Sequence, residues 1–183
     1  MSRLLALLYG TAGFAVFLAT FLYAIAFVTG AGVPKHIDNG VPATLPVALG
    51  IDLLLMTLFA LQHSVMARPA FKRWWTRFVP AHIERSTYVL ASSLALALLF
   101  WQWRPLPLTV WEVQGDVARV AVHALSATGW LLVLSSTFLI SHFDLFGLRQ
   151  VWHHARGRGP APETPFVVRA VYRIVRHPLV LGF

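Results

Sequence analysis

The chain contains no cysteine. A disulfide framework, a thiolate metal site and a cysteine nucleophile are thereby excluded, and the redox compartment leaves no mark on the sequence. Charge is scarce. Only 12% of the 183 residues are Asp, Glu, Lys or Arg, against about 25% in an ordinary soluble domain. Acids are the scarcest, 7 against 15 Lys and Arg, for a formal net charge of +8. There is no low-complexity tract and no internal repeat. What fills the chain is apolar, 57% of all residues. On a soluble protein the basic excess would suggest nucleic acid. Here Lys and Arg cluster between apolar runs, where they set membrane orientation and meet anionic headgroups. The expected partner is the lipid bilayer, and nucleic acid is not expected.

A bilayer core takes about 20 mostly apolar residues in helix. Four stretches meet that length, at about 4–28, 45–66, 87–103 and 120–141. Pro46 sits at the start of the second, where proline is tolerated. Asp52, Gln62 and His63 lie within it, and a structural hydrogen bond is the expected role of Asp52. Trp101 and Trp103 close the third at a depth typical of headgroups. Ser126, Gly129, Ser135 and Ser136 suit the fourth to close helix packing. Closed barrels need alternating segments of about 10 residues, which are absent. The fold expected is all-α, a polytopic transmembrane helix bundle forming a single membrane domain over 1–183. A fifth apolar segment opens at 178–183, too short to span. The chain is therefore expected to be a fragment, truncated at its C-terminus.

Short-loop Lys and Arg decide orientation. The segment between the second and third spans holds Arg68, Lys72, Arg73, Arg77 and Arg85. The segment 142–177 holds Arg149, Arg156, Arg158, Arg169, Arg173 and Arg176. The other two loops carry little basic charge. Both basic segments, and with them the N-terminus, are expected on the cytoplasmic side. His63, His142 and His177 then lie toward that same boundary. The periodicity of Phe143, Phe146, Gln150 and His153, and of Leu145, Leu148 and Trp152, predicts one amphipathic helix over 142–154. Adjacent His153 and His154 point to different helix faces, and no His-Glu-x-x-His occurs. No catalytic metal is expected.

Arg176-His177-Pro178 reads as a helix start, with Pro178 first in the helix and His177 at the cap. Free amides there, with an arginine beside them, suit a carboxylate or phosphate. The stretch Arg176-His177-Pro178-Leu179-Val180-Leu181-Gly182 resembles the Arg-His-Pro-x-x-x-Gly signature of the isoprenylcysteine carboxyl methyltransferase-like superfamily. Many members carry tyrosine where Val180 stands. The block from Ser141 to Trp152 resembles one shared by methanethiol S-methyltransferases, as do the stretch from Gln62 to Lys72 and Glu84-Arg85-Ser86-Thr87-Tyr88. The related NnrU proteins share parts of the pattern.

The resemblance implies methyl transfer from S-adenosylmethionine to the small thiol methanethiol, giving dimethyl sulfide, in a bacterial inner membrane with the active site facing the cytoplasm. It implies that Arg176, His177, Pro178, Leu181 and Gly182 help bind S-adenosylmethionine. Such chemistry needs a base for the thiol proton and a cation that favours the thiolate. His63 and His142 are the candidate bases, and Arg149 the candidate cation. The alternatives are a methyltransferase acting on a lipid or prenylated substrate, and a non-catalytic NnrU-type protein of nitrogen-oxide metabolism.

Overall fold

The computed structural model describes residues 1–109, 111–162 and 170–183. Residues 163–169, Arg169 among them, lie outside the described part of the expected cytoplasmic segment. All regular structure in the described residues is helical. Four helices are long and apolar enough to cross a membrane: α1 (Arg3–Thr29), α2 (Leu45–Ala67), α4 (Ala81–Gln102) and α5 (Asp116–Ile140). The shortest has 22 residues, about 33 Å of helix for a hydrocarbon core of about 30 Å. Every backbone group in such a helix is satisfied within the segment, as lipid requires. The protein is thus an integral membrane protein. The shorter elements are α3 (Pro69–Trp75), α6 (His142–Leu145), α7 (Leu148–Ala155), a 3-10 turn (Ala170–Arg173) and α8 (Pro178–Gly182).

Local chemistry sets the helix ends. The Ser2 hydroxyl accepts from the Leu5 amide at 3.3 Å and caps α1. Gly30 closes the helix in the left-handed conformation, φ 70°. Proline stands in the first turn of α2 and of α3. Helix α4 begins directly after Pro80, well before its apolar stretch, so His82, Glu84 and Arg85 belong to its early turns.

The chain divides into two compact units. The first comprises Met1–Leu108 and Phe146–Ala161. In it α4 is central: α1, α2 and α7 pack on it, and α7 also packs on α1. One core cluster gathers Phe27, Leu55, Leu99 and Phe100, with Tyr23 and Trp103 against it. The other gathers Ala6, Ile83 and Val151, at the N-terminal ends of α1 and α4. Small residues admit α7 there. A methyl group on Gly10 would lie 2.6 Å from Val151 Cγ2.

The loop after α1 is tied over the far end of this unit. Tyr23 donates to the Lys35 carbonyl at 3.0 Å, Trp103 Nε1 donates to the Ile37 carbonyl at 2.9 Å, and Lys35 Nζ donates to the Trp101 carbonyl. Asp52 is 4% exposed and its Oδ1 accepts from the Arg104 amide at 2.9 Å. Burial, with Arg104 nearby, lowers the pKa of Lys35, and Asp52 partly offsets this.

The second unit comprises Thr109–Leu145 and Pro162–Phe183. Here α8 packs on α5. The small residues of α5 make this approach possible. A methyl group on Gly129 would lie 2.5 Å from the Gly182 carbonyl oxygen, and one on Gly182 would lie 2.6 Å from the Gly129 carbonyl oxygen. Trp130 meets Phe183 edge-on, centroids 5.6 Å apart.

One expectation is corrected. The run 142–154 is not a single helix but two, α6 and α7, separated by Phe146 and Gly147. Gly147 takes φ 86°, a left-handed conformation that glycine alone adopts without penalty. It also lies directly on Ser86 of α4, where a methyl group would meet the Ser86 amide nitrogen at 2.7 Å. Phe146 stacks on Phe17 of α1, centroids 3.8 Å apart. Close packing of this corner on α1 and α4 breaks the helix that periodicity alone would continue.

Candidate active site

The second unit carries a cavity of about 300 Å³ lined by Ile140, Tyr172, Arg176, His177, Leu179 and Val180. Two of the five expected cofactor residues, Arg176 and His177, line it. His177 is the N-cap of α8 and Pro178 its first residue, fully buried. Gly182 is packed against α5. Leu181 is 63% exposed and is absent from the cavity wall. Tyr172, which sequence reasoning did not single out, is on that wall, and burial raises the pKa of its phenol.

His142, just beyond Ile140 in the chain, is 7% exposed. Its ring lies parallel to Phe138, centroids 4.2 Å apart, and edge-on to Phe143 at 5.4 Å. Burial lowers its pKa, so the imidazole is held neutral. Thr137 fixes the tautomer. Its hydroxyl donates to the Leu134 carbonyl at 2.7 Å. Having one proton to give, it accepts from Nδ1–H of His142 across their 2.8 Å contact. The lone pair of His142 is then on Nε2. A neutral histidine held this way is equipped to accept a proton.

The remaining two candidates belong to the first unit. His63 is exposed on the last turns of α2, its ring against Phe59 and Tyr88 with centroids 5.4 and 5.2 Å away. The Tyr88 hydroxyl is 3.0 Å from both ring nitrogens, and Ser92 Oγ is 3.3 Å from Nδ1. Tyr88 and Ser92 stand four apart on α4 and so share a face. That spacing was the available signal for a polar pair inside an apolar run. Beside His63, Gln62 Nε2 donates to Met66 Sδ at 3.1 Å, and its Oε1 is buried without a partner among the described residues. Arg149 is the second residue of α7, half-buried. Among the described residues no group of three or more His, Asp or Glu forms a metal-holding cluster.

Four helices able to cross a membrane, with a cavity lined by a histidine and an arginine at α8, define a polytopic helical membrane protein. The chain belongs to the NnrU protein family, whose description matches residues 53–183. Over 183 residues it is 53% identical to the Methanethiol S-methyltransferase of Mycobacterium tuberculosis, covering 100% of this chain and 75% of that protein. It is 54% identical over 181 residues to Methanethiol S-methyltransferase 1 of Bradyrhizobium diazoefficiens, covering 99% of this chain and 63% of that one. Methanethiol S-methyltransferase 2 of the same organism is 54% identical over 187 residues, covering 100% and 70%. The chain thus spans between 63% and 75% of the length of these relatives. No solved structure matches it.

Proposed function

We propose that the protein transfers a methyl group from S-adenosylmethionine to methanethiol, giving dimethyl sulfide. The observation that carries this reading is 53–54% identity, along essentially the whole chain, to proteins named for that activity. The cavity at α8 suits the donor. Arg176 offers a guanidinium that can pair with a carboxylate in bidentate fashion, and Ile140, Leu179 and Val180 offer apolar walls. Its volume is at the low end for small-molecule sites, enough for part of the donor. When bound, the donor supplies an electrophilic methyl group on a positively charged sulfur.

The chain's own task is to prepare the thiol. The thiolate is the nucleophilic form, so a proton must leave the thiol. His142 is the preferred acceptor because it is neutral and its Nε2 carries the lone pair. That proton is afterwards released to solvent. The apolar rings of Phe138 and Phe143 around it help exclude water from the reaction. His63 is the second candidate acceptor, and Arg149 the candidate cation favouring the thiolate. The basic residues around α3 and α7 support a cytoplasmic N-terminus and active site in a bacterial inner membrane, with residues 1–183 forming one membrane domain.

Two further readings have an observation each. Exposed His63 beside Tyr88, at the contact of α2 with α4, would suit a lipid or prenylated acceptor. The NnrU description itself leaves room for a non-catalytic membrane protein. The deciding experiment supplies methyl-labelled S-adenosylmethionine and methanethiol to the full-length protein in detergent and assays the headspace for labelled dimethyl sulfide. Labelled product that disappears in His142→Ala supports the proposal. Donor binding without volatile product turns the reading to a lipid acceptor, and absence of donor binding to a non-catalytic protein.

A further inference from the structure

We propose that a second cavity, in the first unit between the start of α4 and the end of α7, is a binding site for a phosphate group. This inference does not depend on the methyl-transfer reading. The cavity is about 400 Å³ and is lined by His82 of α4, by Gln150 and His154 of α7, and by Arg158 in the turn that follows. The rings of His82 and His154 stack, centroids 3.6 Å apart and planes within 7°. Nε2 of each is buried and has no hydrogen-bond partner among the described residues. Buried polar atoms are nearly always paired, and an unpaired one is destabilising. Two such atoms on adjacent rings, both at one cavity, ask for a partner that the described residues do not supply.

The charge around them says what that partner is. Arg158 is exposed and makes no ion pair among the described residues. Arg3 reaches the same turn, for a methyl group on Gly157 would lie 3.0 Å from its Nη1. Among the described residues no carboxylate lines the cavity. Two guanidinium groups, with no acid among the described lining residues, disfavour a cation. The rings lie parallel, and with the proton on Nε2 each is a donor that an acceptor oxygen can satisfy. An oxyanion with several acceptor oxygens fits instead, and arginine recognises phosphate through a planar fork of donors.

The position agrees. The cavity lies by the cluster of Ala6, Ile83 and Val151, at the N-terminal ends of α1 and α4. Those are ends of two helices long and apolar enough to cross a membrane, and headgroups are expected at such ends. The phosphate therefore comes either from a phospholipid headgroup or from a soluble phosphate compound, and the chemistry of recognition is the same.

The test uses the full-length protein, delipidated in an uncharged detergent, with histidine ring nitrogens labelled with nitrogen-15. Inorganic phosphate is titrated at constant ionic strength against chloride. Saturable shifts of the His82 and His154 ring signals are expected, with a dissociation constant raised about tenfold or more in Arg158→Gln. Arg158 is exposed, so this variant keeps the fold, and His154→Gln is a second variant with the same expectation. Displacement of phosphate by phosphatidylglycerol, but not by phosphatidylcholine, assigns the site to a lipid headgroup. Phosphate binding that phosphatidylglycerol leaves intact assigns it to a soluble ligand. Absence of saturable shifts with either probe overturns the proposal. So does wild-type affinity in both variants, or saturation by zinc ions alone.

Discussion

Gly147→Ala tests the corner between α6 and α7. Two costs add at this residue. Alanine at φ 86° carries the left-handed penalty of about 1–2 kcal/mol. Its methyl group would also stand 2.5 Å from Ser86 Oγ and 2.7 Å from the Ser86 amide nitrogen. Backbone nitrogen cannot swing aside, so α7 and α4 must separate, an overpacking cost of about 1–3 kcal/mol. The sum is about 2–5 kcal/mol. Gly157→Ala is the internal control. Its φ of 68° imposes the same backbone penalty, but the nearest atoms are the Arg3 guanidinium at 3.0–3.1 Å, the free end of a flexible side chain. Only about 1–2 kcal/mol is expected there. Thermal unfolding of both variants in one detergent, followed by loss of the monodisperse species, should show Gly147→Ala melting clearly below Gly157→Ala. Gly147→Asn should melt low as well, because asparagine tolerates the left-handed region but keeps the clash. If Gly147→Ala matched Gly157→Ala, the close seat on Ser86 would be refuted as the cause of the break.

Other outcomes follow from the same geometry. Burial holds His142 below the ordinary histidine value of about 6.5, so on acidification the unfolded chain takes the proton first. Its contribution to stability is complete above that value and is lost as pH falls from there through the folded pKa, a loss that unfolding of wild type against His142→Gln across pH 5–7 would show. The acid limb of turnover should likewise fall below about pH 6.5, and a limb above it would remove His142 as the base. Arg176→Lys keeps the charge at the α8 cavity but loses the planar fork. Donor affinity measured calorimetrically should weaken about tenfold, and unchanged affinity would take Arg176 out of the donor site. Asp52→Ala strips the Arg104 amide of its acceptor and should cost about 1–3 kcal/mol in unfolding, whereas Asp52→Asn retains an oxygen and should stay near wild type.

The crossing helices were legible because lipid imposes two demands at once, a length of about 20 apolar residues and internal satisfaction of every backbone group. The expected stretches 4–28 and 45–66 lie within a residue of the observed ends of α1 and α2. Hydropathy marks only the part of a helix that lipid covers, so it missed the start of α4, which Pro80 sets and which carries His82, Glu84 and Arg85. Periodicity failed at 142–154 for another reason. Glycine inside a periodic run is tolerated in a helix at a cost of about 1 kcal/mol, so pattern alone continues through Gly147. What breaks the helix is a contact with Ser86, distant in sequence. Long-range pairing also hid the polar neighbours that give the histidines their chemistry. Tyr88 reads as part of an apolar run until α2 and α4 pack and bring it to His63. His154 reads as one of two adjacent histidines on opposite helix faces until α7 sets it against His82. Residue type therefore nominated His142 and Arg176, and only the packed structure distinguishes their surroundings. Thr137 gives one histidine a defined tautomer, while His82 and His154 are left with buried nitrogens that no described residue pairs.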